Sequence, residues 1–333
     1  MPALSTAAAS ASKAPAARPR RHRPATGPVP DFDVVIIGAG SAGLSAALVL
    51  GRCLRRVLVC DGGAPRNAPS PAVQGFLTRD GTKPAQLLEL GLHELERYTT
   101  VEVRTTRVTA IVRHGKQFEL TAEGETGRSR TFTTRKILLA TGVEDELPPL
   151  EGMREFWGSG VLHCPYCHGW EVRDQPLAVY GQGKTVTGLA LLVSRWSRDV
   201  VVCTDGPGNL TANARRRLRL QGIQVREEPI TRLQASADSG LELVFETGQL
   251  LARRAVFLHA HQHQRTNLAE QTGCRLTSKG AVWVDKNNQT SQPGIYAAGD
   301  TTPGTQQAIL AAAQGAQAAI CLNEQLTREE CPK

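Results

Sequence analysis

The sequence predicts an α/β protein of two doubly wound, Rossmann-like domains with a small antiparallel β excursion. Three observations carry that prediction. A strand, a glycine turn and a helix follow one another from Asp33, and the same succession begins again at Pro176. The apolar runs that start both units are short and β-branched, as in strands buried on both faces of a parallel sheet. Between the units, residues 101–134 alternate polar and apolar side chains with glycine breaks, which predicts short antiparallel strands.

In the first unit, Asp33-Val34-Val35-Ile36-Ile37 is a strand and Gly38-Ala39-Gly40-Ser41-Ala42-Gly43 is the turn. The run 44–50 is a helix, and 56–60 is a second strand ending at Asp61. Gly38 permits the tight turn, Gly40 lets the backbone approach a pyrophosphate, and Gly43 allows the helix to pack closely on the strand. Asp61 is placed to bind a ribose hydroxyl. Phosphates would sit on the helix N-terminus, where unbonded amides and the dipole favour negative charge. Residues 84–98 repeat leucine at helical spacing and predict a core helix. Residues 136–140 are a further buried strand, closed by Thr141-Gly142 beside the cofactor.

The second unit is imperfect. Its strand, 176–180, leads into Gly181-Gln182-Gly183, a helix and a strand at 199–203, but Val186 stands where a small residue would allow close packing. Asp205 after that strand would accept ribose hydroxyls and repel a 2′-phosphate. NADPH is disfavoured, while NADH or an unfilled degenerate site stays open.

Composition narrows the function. The 333 residues are 41% hydrophobic and 21% charged, which suits globular domains, and no apolar run is long enough for a membrane span. The net charge of +8 owes five basic residues to positions 1–30, which hold no acid, so a nucleic-acid partner is not implied. That Ala-, Pro- and Arg-rich stretch predicts a disordered basic tail. A cytoplasmic protein is expected, and the tail leaves organellar targeting open. Arg215-Arg216-Arg217 reads as a solvated helix face, and His259, His261 and His263 as a strand end with no metal.

His163-Cys164-Pro165-Tyr166-Cys167-His168-Gly169-Trp170-Glu171 is the most informative stretch. Two cysteines at this spacing close a small disulfide ring, lower one thiol pKa and exchange electrons readily. Zinc is the rival reading, but Cys167 and His168 are adjacent and no second C-x-x-C exists. His168 can accept thiol protons near neutral pH, and His163 is the weaker candidate for the same work.

These residues resemble the low-molecular-weight thioredoxin reductase family. The resemblance runs from Asp31 onward on Gly38-x-Gly40-x-x-Gly43, Ala140-Thr141-Gly142, Cys164-x-x-Cys167 and Gly294-Ile295-Tyr296-Ala297-Ala298-Gly299-Asp300. It implies a second domain inserted in the first, with FAD bound by residues 31–145 and 276–330 and the redox cysteines carried by an NAD(P)-like domain, 146–275. Segments near 146–160 and 270–280 would be its hinges. It further implies that Ser41, Asn67, Gly142 and Gly299 lie at the flavin nucleotide, Asp300 at the ribityl chain, and Gln307 and Ala308 at the ring. Cys167 would face the flavin, Cys164 would exchange with substrate, and the chain would form a homodimer. His168 replaces the family's acid after the second cysteine, and Thr204-Asp205-Gly206 replaces its NADPH cluster. Together with Ala64-Pro65-Arg66-Asn67 and Gly75-Phe76, where Gln74 replaces a frequent His, the redox segment looks more like the dithiol oxidase branch. That branch closes the disulfides of gliotoxin-type and holomycin-type metabolites. The expected activity is therefore oxidation of a small dithiol. The alternative is reduction of a thioredoxin-like protein with electrons from NAD(P)H, ferredoxin or a second flavin. A non-catalytic redox-sensing module is a third reading.

Overall fold

The structure, a computed structural model, describes residues 29–237 and 240–331. The tail expected over 1–30 lies outside the described residues except for Val29 and Pro30.

The chain opens with β1 (Phe32–Ile37), α1 (Ser41–Arg52), β2 (Val57–Asp61), α2 (Pro84–Leu95), β3 (Val101–His114), β4 (Gln117–Gly124) and β5 (Ser129–Leu139). β1 pairs in parallel with β2 on one side and β5 on the other. Its alternation decides which core each residue enters. Val34 and Ile36 join α1 in one cluster, and Val35 and Ile37 join the opposite one, so both faces are dry and the whole run is apolar. β3 is long because it pairs with two strands of one sheet in turn: its start lies parallel to β2, and the rest runs antiparallel to β4, which returns along β5.

The chain then leaves through β6 (Val143–Glu146) to build the second domain. Here β7 (Val161–Leu162), α3 (Pro165–His168), β8 (Leu177–Tyr180), α4 (Gly183–Val193), β9 (Val200–Cys203), α5 (Ala212–Leu220) and β10 (Gln224–Arg226) precede a meander. The meander is β11 (Ile230–Ala235), β12 (Leu241–Phe245) and β13 (Leu250–Arg253), followed by β14 (Ala255–Leu258). The parallel sheet has the order β10-β9-β8-β14-β7. The chain returns through β15 (His261–Gln264), antiparallel to β6, and continues with α6 (Leu268–Gln271), β16 (Ile295–Ala297) beside β5, and α7 (Ala308–Glu330). A two-stranded ribbon thus joins the domains.

Three expectations change. α2 is a surface helix, not a core helix, since it buries only Pro84 and Leu95 and leaves Leu92 exposed. The return to the first domain precedes residue 276, because Leu268, Ala269 and Cys274 are already buried in its core. Only His261 and His263 share a strand, both exposed, and no group of three or more His, Cys, Asp or Glu among the described residues could hold a metal ion. As expected, Arg216 and Arg217 face solvent, while Arg215 pairs with Glu227 at 2.7 Å. No helix among the described residues is long and apolar enough to cross a membrane.

Candidate active site

The glycine turn after β1 is fixed by contact. A side chain at Gly38, whose φ is +111°, would meet the Ala140 carbonyl at 2.2 Å, and one at Gly43 would meet the Gly38 carbonyl at 1.8 Å. Gly40 differs, with no atom within 4 Å of the position of a Cβ, so open space lies there for a ligand. It is also the N-cap of α1 and offers no side-chain cap, leaving the first amides of the helix for a ligand. α7 begins in the same way at Gln307, again without a side-chain cap. Both helix starts line one groove of about 560 Å³.

All the residues expected at the cofactor line this groove except Gly43, which lies beneath Gly38. Asp61 ends β2 and holds the turn by accepting the Gly63 amide at 2.9 Å through Oδ1; Oδ2 accepts no hydrogen bond from the described residues. Two uncapped helix starts, an open glycine cradle and a carboxylate at the strand end fit the pyrophosphate and ribose of FAD. The residues present suit that group.

The redox pair enters the groove from the second domain. Cys164 and Cys167 form a disulfide with Cα atoms 5.2 Å apart, and the Cys167 amide donates to Cys164 Sγ at 3.1 Å. Cys167 and His168 line the groove, whereas Cys164 is not part of its wall. Gly169 is required here, since a Cβ would stand 2.8 Å from the Trp196 ring, which also receives the edge of Tyr166. Tyr166 and Trp170 remain 64% and 66% exposed beside the pair. Burial pushes the His168 imidazole below its ordinary pKa, with Glu171 opposing, so it is neutral at pH 7 and able to take a proton. Burial and the Arg66 charge push His163 down to about 4 against the opposing pull of Asp145.

Arg66 is the residue that sequence reasoning did not assign. It lies in Ala64-Pro65-Arg66-Asn67, but its partners come from elsewhere in the chain. Its side chain, 14% exposed, forks onto Asp145 at 2.6 and 2.7 Å and reaches Asp300 at 2.8 Å, Gln306 at 2.7 Å and His163 at 3.4 Å.

In the second domain the chain itself engages several of the corresponding groups. The Gly183 amide at the start of α4 donates to the Gly208 carbonyl at 2.8 Å, and the Gln182 side chain donates to Thr204. Both Asp205 oxygens are engaged, one by the Tyr180 hydroxyl at 2.8 Å and the other by the Ile230 amide at 2.7 Å. Val186 is buried at 2% exposure.

A dinucleotide groove with a disulfide at its wall, in two linked doubly wound domains, defines the flavin-dependent disulfide oxidoreductases. The family model for pyridine nucleotide-disulphide oxidoreductases matches residues 32–315, and the chain belongs to that family. Its relatives place it with the thioredoxin reductase-like enzymes. It is 32% identical to thioredoxin reductase sirT of Leptosphaeria maculans over 88% of this chain and 94% of that one. The crystal structure of HlmI superposes with a TM-score of 0.84 at 40% identity, covering 90% of this chain and 93% of HlmI. An oxidoreductase from Agrobacterium tumefaciens gives 0.83 at 31% identity, covering 91% of this chain and all of that one. The protein is thus an FAD-dependent oxidoreductase of thioredoxin reductase type.

Proposed function

We propose that the enzyme is a dithiol oxidase that works through Cys164, Cys167 and His168 and does not use NADPH. The observation that carries this reading is the engagement of Asp205. A pyridine nucleotide needs a free ribose acceptor after β9, and here Tyr180 and Ile230 take both Asp205 oxygens, while Gly208 holds the Gly183 amide of α4. His168 beside the pair, able to accept thiol protons, supports the same direction.

In this mechanism a substrate thiolate attacks Cys164 Sγ and breaks the Cys164–Cys167 bond, leaving a mixed disulfide and a Cys167 thiolate. The second substrate thiol attacks the substrate sulfur of that mixed disulfide, closes the product disulfide and frees Cys164. Two electrons now reside on the cysteine pair, and His168 takes up the released thiol protons and passes them to water. Tyr166 and Trp170 offer an apolar landing for a small dithiol beside the pair. Cys167 lines the groove and is the sulfur placed to hand the electron pair onward as the disulfide re-forms. When bound by the Gly38–Gly43 turn and the starts of α1 and α7, FAD would supply a two-electron acceptor there, itself open to an outside oxidant such as oxygen.

The homodimer and the cytoplasmic setting belong to the same proposal. Six unpaired cysteines, among them Cys53 and Cys331 on the surface, suit a reducing compartment, and light scattering reads the assembly directly. The activity is tested by an anaerobic visible spectrum of the purified protein titrated separately with NADPH, NADH and dithiothreitol. Bleaching by the dithiol alone, with colour restored by air, is expected. Rapid bleaching by a pyridine nucleotide would instead establish a reductase.

A further inference from the structure

Arg66 carries five N–H donors, and each meets an acceptor. Nε and Nη2 fork onto the two oxygens of Asp145, Nη1 reaches Asp300 and Gln306, and the second Nη2 hydrogen lies toward His163 Nε2. The acceptors come from four places: the ribbon strand β6, the loop after β16, the start of α7 and the redox segment of the second domain. Gln262 of β15 completes the set by bonding Asp145 at 2.9 Å and exchanging amide bonds with Gln306. Both ribbon strands and the cofactor loop are therefore tied to the segment that holds the disulfide.

The contact with His163 has a direction. A guanidinium only donates, so His163 Nε2 accepts and its proton sits on Nδ1. An imidazole whose free lone pair is already engaged cannot take a thiol proton. Two histidines flank the cysteines, but only His168 keeps its proton-accepting capacity.

We propose that Arg66 is a positioning residue that locks His163 as the neutral Nδ1–H tautomer and holds the redox segment against the cofactor groove, leaving His168 as the one proton acceptor. The proposal rests on the thiol-to-flavin direction proposed above only for its kinetic readout. The charged and titratable groups facing His163 are Arg66, Asp145, His168 and His259. Arg66 and the burial of the ring disfavour a charge on His163, and Asp145 favours it. Removing Arg66 therefore makes His163 easier to ionise, whereas removing the Asp145 charge makes it harder.

The test compares Arg66→Gln and Asp145→Asn in the FAD-loaded protein. Proton NMR of the His163 ring follows its titration, and stopped-flow bleaching of the flavin by dithiothreitol is recorded from pH 5 to pH 9. In Arg66→Gln the His163 titration should rise toward the ordinary imidazole value, with a matching new ionisation in the bleaching profile. In Asp145→Asn, which breaks the same clamp, neither should appear. The His168→Ala defect should also shrink at least several-fold when combined with Arg66→Gln, because His163 is then free to accept protons. An unmoved His163 titration in Arg66→Gln, or the same shift in both variants, would overturn the proposal. If dithiothreitol fails to bleach even the unaltered protein, the oxidase reading falls, while the NMR titration still decides the role of Arg66.

Discussion

Gly315 of α7 lies so close to Ala42 of α1 that a Cβ on it would stand 2.0 Å from the Ala42 carbonyl oxygen. This contact brings the uncapped starts of both helices to one groove. Gly315→Ala must spread them, costing about 1–3 kcal/mol by overpacking. Chemical denaturation should show the loss, and gel filtration should show FAD leaving the variant more readily. A variant that keeps both stability and full flavin content would contradict this account of the groove.

Cys164→Ser and Cys167→Ser should each reduce dithiol turnover at least about 10³-fold while FAD stays bound, since neither variant can form the disulfide that the substrate attacks. The two variants should differ with a thiol-directed trap. With a small disulfide as that trap, the Cys164 thiolate of Cys167→Ser attacks it, releases one half as a thiol and keeps the other as a mixed disulfide, which mass spectrometry would detect. Turnover persisting in either variant would remove the cysteine pair from the mechanism.

His168→Ala should slow dithiol oxidation by about 10²-fold near neutral pH, the usual worth of a positioned base. The defect should close above about pH 9, where thiols ionise unaided. Because burial lowers the His168 pKa, the unaltered enzyme should keep its activity below the ordinary imidazole range. Parallel pH profiles of the two proteins would return His168 to a packing role.

His163 bears on stability. Its folded pKa of about 4 lies below the ordinary 6.5, so between those values the unfolded chain binds a proton that the native protein refuses. The native state is therefore favoured above about pH 6.5 and loses that advantage as pH falls toward 4, by on the order of 3 kcal/mol in all. Thermal melts of His163→Asn should show a shallower decline across this window than the unaltered protein. An equal slope would mean that the buried ring does not contribute to acid lability.

Much of the site was legible because its signals are local. The turn from Gly38 to Gly43 is encoded by the steric needs of six consecutive residues, and the disulfide by two cysteines one helical turn apart. The misreadings arose where local pattern and burial part company. Leucines at helical spacing in α2 look like a core face, yet only Pro84 and Leu95 are buried because little of the fold covers that side. Strand pairing is equally hidden: the ribbon sets His261 and His263 opposite Glu146 and Glu144 of a strand over a hundred residues earlier.

By itself the sequence determined the two doubly wound units, the groove glycines and the redox pair, since each depends on backbone sterics and spacing within a few residues. The tertiary structure alone decided that Arg66 would join Asp145, Asp300, Gln306 and His163, and that Tyr180 and Ile230 would engage Asp205 and Gly208 the Gly183 amide. Hydrogen bonds between groups as many as 240 residues apart leave no period in the chain. They exist only once the packed sheets and the connecting ribbon have brought donor and acceptor within about 3 Å.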